Sequence, residues 1–303
     1  MNKPTYNAAR LGRQAHGIVT VLRFTVALLL VVAAQTIFGP VIAAQEFRIY
    51  TRVSQEIGRP PGSTGDAKQN EVVAHSLTLF HAGKVYDYIH SVGEVTIFEP
   101  GLKRFTILST TREMTTQVTL DELLGKLNIA RKEIKFFAAV PKAQGGPPLK
   151  VAKALNFQLA PDFDAKFQTK SKLLTLSSPF VRYEAQCSKA KAPQALTSYL
   201  HYADWICRLN YVLHPKALYP ASRLELNEAL RKHNVIPTEV RLTIPGENPI
   251  RFKAEHEIHW QLDKKDRSYI GRWETMLKDP GTRQVSFREY QRAMLVSLSK
   301  RTR

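Results

Sequence analysis

Cysteine is nearly missing from this chain: of 303 residues, only Cys187 and Cys207 carry a thiol. Two isolated cysteines cannot make a cysteine-based zinc site, and without a Cys-x-x-Cys pair there is no redox motif. No cysteine follows the first apolar run, where lipid modification of an amino terminus would need one. Acidic residues are scarce as well, 26 Asp and Glu against 44 Lys and Arg, for a formal charge of +18. Long apolar runs are confined to the first forty-odd residues, and no later stretch approaches the roughly 18 residues expected of a membrane span. There is no Gly-x-Ser-x-Gly elbow, no Gly-x-Gly-x-x-Gly and no phosphate-loop lysine, so nucleotide binding and motif-bearing hydrolases have no support. No cofactor is implied by any motif.

What is present begins with an address. Lys3, Arg10, Arg13 and Arg23 precede the apolar run Phe24 to Ala34, and the small residues Ala43 and Ala44 follow it, which is the order of an export signal. Residues 1–44 therefore read as a signal peptide. The rival reading is an uncleaved N-terminal anchor, because Ile18 to Ile42 has the length to cross a bilayer but is interrupted by Arg23, Gln35 and Gly39-Pro40. Both readings export the remainder, as a secreted, periplasmic or envelope-associated body. In an oxidising compartment Cys187 and Cys207 read first as a disulfide, with two buried free thiols as the alternative. The cation surplus favours an anionic membrane surface or polymer as neighbour, although Lys and Arg are dispersed enough for a plain solvated basic surface. Nothing points to sequence-specific nucleic-acid binding.

The rest of the chain is rich in strand periodicity. Phe47, Ile49 and Val53 alternate with Arg48, Tyr50 and Arg52; a loop follows over Gly58 to Asn70. Val72 to His81, Lys84 to Val92, Glu94 to Glu99, Arg104 to Thr110 and Glu113 to Val118 are separated by hairpin-sized, mostly Gly-containing turns and form an antiparallel meander. Thr119 and Glu122 have capping-box spacing ahead of a helix carrying Leu120, Leu123, Leu124, Leu127 and Ile134. Residues 45–138 thus make a first part, and 149–303 a second, α+β part of the same or a separate domain, across the Pro141 to Pro148 boundary. In the second part we expect strands at Ala154 to Leu159, Lys172 to Ser177 and Phe180 to Cys187, and helices from Pro193 and over Ala221 to His233. The clearest strand, Ile250 to Leu262, pairs with Glu239 to Ile244. Two amphipathic helices, capped by Asp263 and Ser286, finish the chain. The fold class is α+β: a mainly antiparallel sheet with helices packed on one side and a helix-rich C-terminal part.

Candidate site residues are few. His256 and His259 flank Glu257, but their three-residue spacing on a strand sends them to opposite faces, unlike the four-residue helical spacing of zinc proteases. His256 is expected inward and hydrogen-bonded, His259 wet. His75 and His81 share strand parity yet lie six residues apart, roughly 20 Å, and His90 sits near a turn. Tyr199, Tyr202, Trp205 and Tyr211 with Arg208 could form a stacking platform, though core and rim is the commoner role for such rings. The basic end Lys300, Arg301 and Arg303 suits anionic lipid or plain solvent.

The hairpin array, especially Ala82-Gly83-Lys84-Val85-Tyr86-Asp87-Tyr88, Glu94-Val95-Thr96-Ile97-Phe98-Glu99-Pro100 and Arg104-Phe105-Thr106-Ile107-Leu108, resembles the periplasmic lipoprotein-carrier and envelope-stress-sensor superfamily over about Phe47 to Leu127. The resemblance implies a curved antiparallel sheet around an apolar hollow closed by helices, and a role in carrying or sensing acylated lipoproteins. The leading expectation is a non-enzymatic exported protein that binds lipid, an acyl chain or an envelope-protein segment in a half-buried sheet. The alternatives are an exported hydrolase with a dispersed site and a structural envelope protein that binds anionic polymer.

Overall fold

Strand alternation sets the architecture. In the computed structural model, which describes residues 46–57, 69–214 and 217–301, twelve strands form one open, curved, mostly antiparallel sheet. The export-signal stretch 1–44 and nearly all of the expected loop Gly58 to Asn70 lie outside the described residues. β1 (Phe47–Ile57), β2 (Gln69–His81), β3 (Lys84–Ile89), β4 (Glu94–Glu99), β5 (Arg104–Ser109) and β6 (Met114–Thr119) pair in sequence order as the expected meander. Gly93 closes the β3–β4 turn at a φ of 63°, and a Cβ there would fall 2.6 Å from Thr111 Cγ2, so both backbone and space demand glycine. The capping box at Thr119 then starts α1 (Leu120–Ala139), each partner hydrogen-bonding the other's backbone N–H.

The second part extends the same sheet. Its elements are α2 (Leu149–Leu159), β7 (Asp164–Gln168), β8 (Leu173–Ser177), β9 (Arg182–Lys189), α3 (Pro193–Leu213), α4 (Ala221–Lys232), β10 (Val235–Ile244), β11 (Ile250–His259), α5 (Lys264–Lys278), β12 (Arg283–Gln284) and α6 (Phe287–Arg301). The strand order is β12-β6-β5-β4-β3-β2-β1-β11-β10-β9-β8-β7, with only β12 running parallel to its neighbour, β6. The junction is β1 against β11, from Arg48 opposite His259 to Glu56 opposite Arg251. All described residues therefore belong to one compact unit, Ala44–Arg303. Pro141 to Pro148 is no domain boundary; it is the elbow between α1 and α2, which pack on each other.

Three expectations are corrected. Ala154 to Leu159 is helical rather than extended, because Ala154, Phe157 and Gln158 turn toward the protein at helical spacing. The strand from Ile250 ends at His259: Trp260 packs with the main core, whereas Leu262 joins a second core on the other face, and the Asp263–Asp266 capping box starts α5 there. Helices on one side describes five of the six. α1, α2, α3, α4 and α6 share the main core with inward residues such as Phe47, Phe80, Phe98, Ile107, Leu174 and Ala185. α5 instead lays Ile270 and Trp273 on Leu79, Tyr86, Val95, Ile97 and Leu108 of the opposite face. Both faces of β2 to β5 are thus buried locally, which explains why all six residues of β4 are buried. Among the described residues no helix is long and apolar enough to cross a membrane.

Candidate functional site

Register determines which side chains meet between the sheet and the helical layer. Because Val53 lies opposite Ala254 and Ala254 opposite Val240, these residues and their neighbours Phe252, Leu242 and Ile244 line one wall. α3 contributes Cys207 and Asn210, α4 contributes Arg223, and Ala217 to Pro220 form the rim. The half-open cleft they form measures about 680 Å³, within the range of small-molecule sites.

Arg223 is the charge in this apolar cavity. Its Nε donates to Asn227 Oδ1 at 3.0 Å and one Nη reaches the Tyr199 hydroxyl at 3.5 Å. Asn227 in turn donates to Asp204 at 2.8 Å, but that carboxylate is already paired with Arg231 at 2.8 Å. Among the described residues no carboxylate pairs with Arg223 and its other N–H groups have no acceptor, leaving a permanent cation beside apolar walls. His256 faces the same space. Its Nδ1 meets Thr51 Oγ1 at 2.9 Å, while Nε2 is buried without a partner. Burial, aided by the charge of Arg223, depresses its pKa to about 4, so the imidazole is neutral at neutral pH. Burial likewise holds the Tyr183 hydroxyl up to about 12 and the Cys207 thiol up to about 11, both neutral. The cavity's net charge is therefore positive, and it comes from Arg223.

The disulfide reading is corrected. Cys187 on β9 and Cys207 on α3 are free thiols, each donating to a carbonyl of its own element, Ala185 and Asp204 respectively, at 3.3 Å. Burial raises both pKa values to about 11 and keeps them protonated and unreactive.

The opposite face holds a second cavity of about 480 Å³ at the start of α5. It gathers three of the histidines singled out from sequence, His75, His90 and His259, with Tyr50, Tyr88 and Tyr269. Tyr50 Oη and His75 Nδ1 are 2.7 Å apart, and His259 Nε2 lies 2.6 Å from Glu257 Oε1. Arg48 is bound to Asp266 at 2.9 Å and to Asp263, while Lys265 lies 5.9 Å from the centroid of the Tyr269 ring and belongs to no ion pair among the described residues. His81 stands apart, bonded to Glu46 at 2.5 Å, and His256 is on the other side of the sheet. Among the described residues no group of three or more His, Cys, Asp or Glu side chains could hold a metal ion. The aromatic helix divides into core and rim: Tyr199 and Tyr202 are buried, while Trp205 carries Arg208 4.9 Å from its ring centroid.

Sequence reasoning passed over two inward carboxylates. Asp87 on β3 accepts from Thr78 Oγ1 at 2.8 Å beneath Tyr202 of α3, and Glu94 on β4 accepts from Tyr290 Oη of α6 at 2.7 Å. Burial raises the pKa of both, and the charge of Asp87 adds to the rise at Glu94. Arg112 opposes it from a distance. The signal was available: Val85 and Asp87 share parity, as do Phe98, Thr96 and Glu94. A carboxyl whose folded pKa exceeds its unfolded value loses stability as pH rises between the two. Glu94→Gln, which keeps an acceptor for Tyr290 without the charge, is therefore expected to raise the melting temperature at pH 8, with the gain shrinking toward pH 4.5. Thermal unfolding of both proteins across that range checks it, and a variant less stable at pH 8 refutes the assignment.

No protein-family model matches the chain, and no curated protein sequence matches it either.

Proposed function

We propose that this chain is an exported binding protein, not an enzyme, that holds a single-chain amphiphile with one acidic head group between the sheet and the α3–α4 layer. The observation that carries this reading is Arg223, an unpaired guanidinium lining an apolar cavity of about 680 Å³. A half-buried cation without a described counter-ion is incompletely solvated, and an entering carboxylate or phosphate would relieve it while its chain covers Val53, Val240, Leu242 and Phe252. The neutral imidazole of His256 supplies a further hydrogen-bonding group once its Nδ1 accepts from Thr51. The export signal read in residues 1–44 supplies the address, and the lipoprotein-carrier resemblance agrees in kind with a sheltered acyl chain. Against a hydrolase, Asp87 and Glu94 line neither large cavity, and Glu94 is locked by Tyr290.

Titration with dodecanoic acid and with dodecanol, followed by native mass spectrometry before and after organic extraction of the protein, tests this reading. The acid is expected to bind one to one and the alcohol at least tenfold more weakly. Equal affinity for the two, or no binding of either by the extracted protein, would overturn it.

A further inference from the structure

The helical layer carries an apolar surface that no described residue covers. Eleven large hydrophobic side chains are exposed among the described residues, and six of them fall between residues 124 and 151: Leu124, Ile129, Phe136, Phe137, Leu149 and Val151. Phe136 is 76 % exposed and Leu149 71 %. On α1 the residues Leu120, Leu123 and Leu127 face the core, whereas Ile129, Lys132 and Phe136 recur at three and four spacing on the side away from it. α2 packs back on α1, so the end of one and the start of the other meet at the elbow. That elbow is tight: Gly146 N–H donates to the Pro141 carbonyl at 3.1 Å, and a Cβ on Gly146 would come within 1.8 Å of the Val140 carbonyl oxygen.

Charge identifies what covers this surface. From Ile129 to Lys153 six cations, Arg131, Lys132, Lys135, Lys142, Lys150 and Lys153, are exposed around the apolar side chains, against the single acid Glu133. Among the described residues none of the six belongs to an ion pair. Aromatic and aliphatic side chains at the acyl boundary, with lysine ammonium groups extended to lipid phosphates, fit an anionic bilayer. We infer that the elbow between α1 and α2 is a docking surface for anionic lipid membranes. The far end of α2 touches the cavity rim, where Tyr219 N donates to Gln158 Oε1 at 3.0 Å. One helix of 11 residues, roughly 16 Å, therefore separates the docked elbow from the cavity mouth.

The test uses the full chain with vesicles of phosphatidylcholine alone or mixed with phosphatidylglycerol. Because residues 24–34 are apolar and could hold vesicles by themselves, the readout is placed at the elbow. The added indole of Phe136→Trp is expected to shift to shorter wavelength and to be quenched by brominated acyl chains in the anionic vesicles but not in the neutral ones. Lys132→Glu combined with Lys135→Glu is expected to lower affinity for anionic vesicles at least tenfold with an unchanged circular-dichroism spectrum. Sedimentation with vesicles while the new indole stays unquenched overturns the inference, as does equal quenching on neutral vesicles. A concentration-dependent dimer lost on Phe136→Ser, without vesicle quenching, would make the elbow an interface between copies instead.

Discussion

Replacing Arg223 with Met lowers affinity for a long-chain carboxylate by about 10- to 100-fold while a neutral chain of the same length binds as before. A hydrogen bond to a charged group contributes roughly 1.5–3 kcal/mol, and each 1.4 kcal/mol is a factor of ten in affinity. The variant also separates binding from folding. Arg223 has no described carboxylate partner, so removing the cation breaks no ion pair, but the buried Asn227 Oδ1 loses its donor and the unliganded variant is expected to be about 1–3 kcal/mol less stable. Calorimetric titration with dodecanoic acid, beside a urea unfolding curve, measures both. Unchanged carboxylate affinity in a folded variant would sink the assignment of Arg223, whatever else the cavity holds.

Phe47→Ala destabilises the protein by about 3–5 kcal/mol, the usual cost of deleting a fully buried ring. Phe47 is 0 % exposed, stacks on Phe80 with ring centroids 3.9 Å apart and leans on Trp260 at 5.7 Å. It opens β1, the strand that joins the meander to β11, so the loss is expected to shift one unfolding transition of the whole sheet rather than split it. Against a typical domain stability of about 5–15 kcal/mol such a change is large. Urea unfolding followed by tryptophan fluorescence and by far-ultraviolet circular dichroism reads it. A loss under about 1.5 kcal/mol, or two separated transitions, would mean that β1 does not bind the two parts into one cooperative unit.

These expectations also mark how far the sequence could be read. The strands of the meander and the long strand from Ile250 were legible because their side chains alternate with period two. The capping box at Thr119–Glu122 was legible because it places acceptors three residues apart, and Asp263 was legible as a cap, although its box partner Asp266 was not. Ala154 to Leu159 was misread because a short apolar run has no period of its own to separate strand from helix. Of the site, His256 was legible as an inward histidine, since alternation alone fixes its face. Arg223 was not, because a single arginine on an amphipathic helix looks solvent-facing until a second element covers it.

By itself the sequence determined the local elements, the α+β class and the excess of positive charge, because each depends on neighbours a few residues apart. The tertiary structure decided the rest. The pairing of β1 with β11, roughly 200 residues away, merged two expected parts into one sheet, and the crossing of α5 to the opposite face gave that sheet a second core. Both turn on long-range contacts that no short window records. The cleft that leaves Arg223 without a described counter-ion depends on them too, since the hydrogen-bond register of β1, β11 and β10 sets one wall and the packing of α3 and α4 supplies the other.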